Sequence, residues 1–251
     1  MAFVVAIALN LALVAGQIVG GLIAHSLALV ADAGHNFIDV LGLMLAWWAR
    51  RLQKSAPTRT HTYGLRSVSI LASLTNAVMV LVSMGAVGWE AIVRLREPAP
   101  VNGPIMIGIA LAAIVINVVS AWPFLAGRKE DLNLKAAFVH LAADAGIAAG
   151  VALAGFAILA TGAQWIDPLT SLAIVAVVIY GTWGLLRDSM NLALQAVPPG
   201  VDLRAIHDYL AAASGVGNVH DLHVWAMSTT ETALTVHLVL QPGHSHEDLL
   251  A

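Results

Sequence analysis

Six stretches of this chain, Phe3–Ala24, Leu27–Ala49, Val68–Trp89, Gly103–Ala126, Ala136–Ala160 and Trp165–Leu186, are apolar and almost free of charge. Each reaches the roughly 20 residues that an α-helix needs to cross the hydrocarbon core of a bilayer. In lipid a segment must satisfy its own backbone groups, so runs of this kind fold as helices and little else is open to them. Composition agrees: of 251 residues 59% are hydrophobic and 11% charged, and the mean hydropathy is +0.82, outside the balance of a soluble domain. Six of the seven tryptophans (Trp47, Trp48, Trp89, Trp122, Trp165 and Trp183) lie near span ends, where an indole sits well at headgroup level. The expected fold is mainly α, a six-transmembrane-helix bundle over residues 1–190, with membrane lipid as its surroundings. The first 24 residues lack a basic n-region and a small-residue cleavage site, so they are expected to remain as a helix.

Basic residues set the expected orientation. Arg50, Arg51, Lys54, Arg59 and Arg66 lie between spans two and three, Arg128, Lys129 and Lys135 between four and five, and Arg187 and Arg204 in the tail, against Arg94 and Arg96 on the other side. The positive-inside rule then puts the tail and both termini in the cytosol; it does not say which membrane, and a bacterial inner membrane is the expectation. The twelve cations form no stripe with interleaved aromatics, and the net charge is −3, which argues against nucleic acid as a partner. From residue 198 the composition becomes mixed. Val201–Ala213 reads as an amphipathic helix, and Val219–Met227 and Thr232–Leu240 as alternating strands. Residues 198–251 are therefore expected to be a small α+β cytosolic domain that looks truncated, because about 50 residues with two strands are marginal alone.

Within the spans the informative residues are ionisable. Only Asp32, Asp39 and Asp144 among the fifteen acids fall deep inside a span, and His35 and His140 are the only deep histidines. An Asp at a helix centre costs about 3 kcal/mol on a translocon scale, so such residues face a cavity or one another and mark function by default. At about 100° per residue, Asp32, His35, Asn36 and Asp39 form one polar stripe, and His140 and Asp144, four apart, form a second. Two helices thus each offer an imidazole and a carboxylate one turn apart. If they face each other, two nitrogens and two oxygens suit a tetrahedral, borderline-soft ion such as Zn²⁺, with Co²⁺ or Cd²⁺ as alternatives. The absence of cysteine removes thiolate sites. The plain alternative is that the four residues only bind the two helices together through Asp–His hydrogen bonds. Asp32 suits orienting His35 as an outer acceptor, lining an access path, or a plain packing role between helices.

The motifs Ser26–Asp39 (SLALVADAGHNFID), the His140/Asp144 pair, Trp165–Leu172 (WIDPLTSL) and His220–Trp225 (HDLHVW) together resemble the cation diffusion facilitators, most of all their zinc branch. The resemblance covers nearly the whole chain. It implies a metal transport site at His35, Asp39, His140 and Asp144, export of Zn²⁺ in exchange for protons by alternating access, a homodimer, and a ferredoxin-like cytosolic domain. It further implies that His220 and His237 align with cytosolic metal positions of some relatives, with His223, His244 and His246 as possible helpers. No prosthetic group is implied: Zn²⁺ is cargo and H⁺ the counter-ion. The loop Lys54–Tyr63 has only His61 where some relatives have a loop metal site, so none is expected there.

The remaining polar residues have quieter readings. Asp167 before Pro168 has the pattern of an N-cap with proline at the first helical position. Asn10, Gln17, Asn76 and Asn117 are expected to bridge helices. A metalloenzyme reading lacks H-E-x-x-H, clustered His boxes and G-x-S-x-G, and ATP-driven pumping lacks a phosphate loop.

Overall fold

The computed structural model describes residues 2–122 and 132–243. Six long helices come first: α1 (Ala2–Ala24), α2 (Leu27–Gln53), α3 (Val68–Arg96), α4 (Gly103–Ala121), α5 (Leu132–Thr161) and α6 (Ile166–Ala193). A short helix, α7 (Leu203–Ala211), and two strands, β1 (Val216–Ala226) and β2 (Thr232–Leu240), follow. Helices α2 to α6 contain stretches long and apolar enough to cross a membrane, and α1 is apolar over the part whose side chains are described. The last residues of the expected fourth span, Arg128 and Lys129, the side chains of Asn10 and Lys135, and His244 and His246 lie outside what the structure describes.

The breaks between helices have local causes. Helix α1 ends where His25 takes the left-handed conformation (φ 53°). The Ser26 N–H then reaches back to the Gly21 carbonyl at 2.9 Å and the His25 N–H to that of Leu22 at 3.3 Å, the paired bonds that close a helix C-terminus. Helix α4 starts at Asn102, whose side chain accepts from the Ile105 N–H, with proline in the first turn. Aspartate 202 caps α7 in the same way, accepting from the N–H groups of Arg204 and Ala205.

The chain forms two compact units, Met1–Met44 with Asn76–Trp183, and Leu45–Thr75 with Gly184–Ala251. In the first unit a core of Ala28, Leu29, Ile38, Met84, Met106, Val151 and Ile174 joins the helices. Small residues let backbones approach: a Cβ on Gly155 of α5 would stand 2.8 Å from the Ile107 side chain of α4, and one on Gly42 of α2 would meet the Asn76 amide of α3. Such contacts replace the hydrophobic drive that is absent between helices in lipid. Burial is uneven. In their most apolar windows α2 and α5 are 47% and 44% buried, α3 and α6 only 22%. The two helices with deep His and Asp are thus more buried than α3 and α6, with α4 at 39% close behind them.

In the second unit β1 and β2 pair antiparallel, with His220 opposite His237 and Trp225 opposite Ala233. The register shifts between His220 and His223, where Asp221 has a φ of 51°. The turn after β1 is tied to the α2–α3 connection: Arg66 pairs with Glu231 at 2.6 Å, the Ser67 hydroxyl donates to the Met227 carbonyl, and the Thr229 N–H donates to Ser69 Oγ.

Candidate metal centre

Helical geometry sets each His and Asp of the first unit one turn apart, and packing of α2 against α5 decides whether the pairs meet. They meet as an alternating ring. His35 Nε2 lies 3.5 Å from Asp39 Oδ2 and 3.8 Å from Asp144 Oδ1, while His140 Nε2 lies 3.5 Å from Asp39 Oδ2 and 3.6 Å from Asp144 Oδ2. The two imidazoles stand edge to face with centroids 6.4 Å apart. These separations are too long for good hydrogen bonds, and Asp39 Oδ2 and His35 Nδ1 are buried with no partner. A buried acceptor without a donor asks for an explanation, and the reading of the four as hydrogen-bonded glue supplies none. Four ligands about 2.0–2.1 Å from a tetrahedral ion have edges of about 3.3–3.4 Å, a few tenths below the four sides observed. The ring is flatter than a tetrahedron: among the described residues only His220, Asp221 and His237 place every ligand atom within 4.8 Å of every other. Exposure within the ring is uneven: the His140 side chain is 51% exposed and that of Asp144 only 5%.

Asp32 stands outside the ring. It is buried and accepts from the Gln17 side-chain amide, whose carbonyl in turn accepts from Asn36 Nδ2 at 3.2 Å. The chain Asn36 to Gln17 to Asp32 joins α1 to α2 and leaves Asp32 Oδ1 unpartnered. Gln17 is thus a helix bridge as its type suggested, whereas the side-chain carbonyls of Asn76 and Asn117 are buried without a partner.

Asp167 corrects its sequence reading. It already lies within α6 and does not cap its own helix. Its carboxylate accepts from the Ser26 hydroxyl at 2.6 Å, the Leu27 N–H at 2.8 Å and the Ala28 N–H at 3.3 Å, so it caps the start of α2. The first N–H groups of a helix have no partner within it, and a carboxylate there also complements the helix dipole. Arg94 secures the same turn by donating to the His25 carbonyl at 2.8 Å. Helix α2, which holds His35 and Asp39, is therefore anchored at its first residues by α6 and α3.

In the second unit His220 and His237 face each other across the hairpin, centroids 5.4 Å apart. Asp221 Oδ2 lies 3.2 Å from His220 Nδ1 and 3.1 Å from His237 Nδ1. Hydrogen bonding from His220, with the charges of both rings, holds the Asp221 carboxyl below the usual carboxylate range. Sequence reasoning missed Asp221 because consecutive strand residues point to opposite faces, and only the bulge brings it beside His220. His223 belongs to the wall of a separate cavity, and the ring of exposed His61 lies within hydrogen-bond distance of its neighbour Thr60.

Comparison with known proteins bears on this arrangement. Residues 3–192 match the cation efflux transmembrane domain and residues 198–249 the cytoplasmic domain of cation efflux proteins. The zinc transporter ZitB of Escherichia coli is 36% identical over 236 residues, which are 93% of this chain and 75% of that protein. The cation efflux system protein CzcD of Alcaligenes sp. is 32% identical, with 94% and 74% covered. A cadmium, cobalt and zinc/H(+)-K(+) antiporter of Bacillus subtilis is 31% identical, with 89% and 73% covered. With both domains matched along nearly the whole chain, this protein belongs to the cation efflux family of multi-pass membrane transporters and is not an enzyme.

Proposed function

We propose that the chain exports Zn²⁺, with Co²⁺ and Cd²⁺ as further cargo, in exchange for H⁺, and that His35, Asp39, His140 and Asp144 are the transport site. The observation that supports this best is the alternating ring, in which each imidazole nitrogen lies within 3.8 Å of two carboxylates from two different helices. Two carboxylates balance a divalent charge, and two nitrogens favour a borderline ion over Mg²⁺ or Ca²⁺, which want oxygens throughout. Proton exchange follows from the same nitrogens: an imidazole binds a proton or a metal at one lone pair, so each displaces the other. Metal is named as cargo for the relatives in Escherichia coli and Bacillus subtilis, and proton exchange for the latter. Alternating access then moves one site between two sides.

The same reading puts both termini in the cytosol and joins two copies through the cytoplasmic domain, whose family description favours dimerisation. His220, Asp221 and His237 form a peripheral metal-binding set of that domain, separate from transport. Protein in liposomes with an imposed pH gradient should accumulate Zn²⁺, and Asp39→Ala or Asp144→Ala should abolish uptake while the protein still folds. Normal uptake by both variants would sink the site assignment, and uptake indifferent to the gradient would sink proton exchange.

A further inference from the structure

The second unit contains a cavity of about 790 Å³, within the roughly 300–1,000 Å³ range of small-molecule sites. Its walls come from the start of α3, the end of α6 and the strands, and its ionisable groups are Tyr63, Arg66 and His223, with no carboxylate among its lining residues. Leu71, Leu192 and Trp225 supply apolar wall. One side of the surroundings is strongly basic: residues 45–75 hold Arg50, Arg51, Lys54, Arg59 and Arg66 and no acid, whereas residues 184–243 hold Asp188, Asp202, Asp208, Asp221 and Glu231 against Arg187 and Arg204. Glu231, from outside the lining, neutralises Arg66 in part.

Two features argue for an anion with a hydrocarbon tail. Leu71, 55% exposed, and Leu192 belong to helices apolar enough to span a bilayer, so the apolar wall continues along membrane-spanning elements. Trp47 and Trp48 are exposed at the end of α2, and the Arg51 guanidinium lies over the Trp47 ring, 5.7 Å from its centroid. Aromatics and snorkelling cations mark headgroup level, and clustered cations beside a span attract anionic headgroups. We infer that this cavity binds an anionic phospholipid of the adjoining leaflet, its phosphate at Arg66 and His223 and its first methylenes against Leu71, Leu192 and Trp225. The headgroup competes with Glu231 for Arg66, so lipid occupancy loosens the tie between the α2–α3 connection and the β1–β2 turn.

Trp225 reports on this directly. Full-length protein in phosphatidylcholine vesicles is titrated with phosphatidylglycerol brominated near the glycerol end of its acyl chains, or with phosphatidylcholine brominated alike. The Trp225 signal is the difference between the wild type and Trp225→Phe. Brominated phosphatidylglycerol should quench it at a low mole fraction and brominated phosphatidylcholine should not. Arg66→Gln should weaken the preference roughly five- to tenfold. Glu231→Gln, which frees the guanidinium, should strengthen it and remains informative if Arg66→Gln misfolds. Equal quenching by both lipids, or none by either, overturns the site. So does protection of Trp225 from aqueous iodide by inorganic phosphate in vesicles of phosphatidylcholine alone, which marks a free-anion site.

Discussion

The protein assembles histidine and aspartate twice, by opposite means. In the membrane each His–Asp pair comes from one helical turn, and the ring forms when α2 and α5 pack together. In the hairpin the two histidines come from facing strands, and Asp221 joins them only because the strand bulges. In the first, Asp39 Oδ2 is buried without a hydrogen bond; the second is exposed and its carboxylate is hydrogen-bonded to His220. Burial makes an unpaired polar group costly, and the cation proposed for the ring would relieve that cost at Asp39 Oδ2. In the hairpin His220, Asp221 and His237 are exposed, so water is available to the same kinds of group.

The strongest way to break this contrast is transport itself. Asp144→Ala should reduce Zn²⁺ flux in liposomes to background, whereas Asp221→Ala should leave the flux within about twofold; equal losses would mean that the two clusters work as one. Next in size is the anchor of the ring. Asp167→Ala strands a buried hydroxyl and two helix N–H groups, at about 3 kcal/mol in total. A lower unfolding midpoint in mild detergent should show it, with Asp167→Asn falling between, and an unchanged midpoint would remove α6 from the positioning of α2.

A smaller effect concerns selectivity. His35→Asp gives the ring a third carboxylate, and discrimination of Zn²⁺ against Mn²⁺ or Cd²⁺ should fall severalfold in competition uptake. Unchanged selectivity would mean that His35 does not set it. The smallest effect is a pH dependence confined to the hairpin. Asp221 is held below its ordinary value in the folded domain, so its contribution is present above about pH 4 and is lost as pH falls through the depressed folded value. Histidine NMR shifts of His220 and His237 should report one carboxyl titration below pH 4, absent in Asp221→Asn. A titration at the ordinary value would show that the trio does not hold together in solution.

Much of the membrane part was legible because lipid leaves few choices. A run of some 20 apolar residues there is a helix, and in a helix the spacing of His35 and Asp39, or of His140 and Asp144, is already a direction in space. The break at His25 and Ser26 and the starts of α3 at Val68 and α4 at Gly103 coincide with the limits of the apolar runs, while the His25 and Asn102 conformations that make the breaks are known only from the structure. Asp167 was misjudged because its local context, an acid before proline at a helix start, looks the same whether the carboxylate turns to its own N-terminus or to that of α2. Asp221 was overlooked because a strand's period of two assigns it to the face away from His220.

Sequence alone determined that this chain spans a membrane with apolar helices, and that two of them offer paired imidazole and carboxylate groups, because both properties depend on residues at most a few positions apart. Tertiary structure decided which groups complete each other. Asp39 stands between two histidines 105 residues apart in the chain, Asp167 closes a helix that begins 140 residues earlier, and a cavity joins α3, α6 and the strands. Contacts of that range depend on how whole helices and strands pack, and no local spacing encodes them.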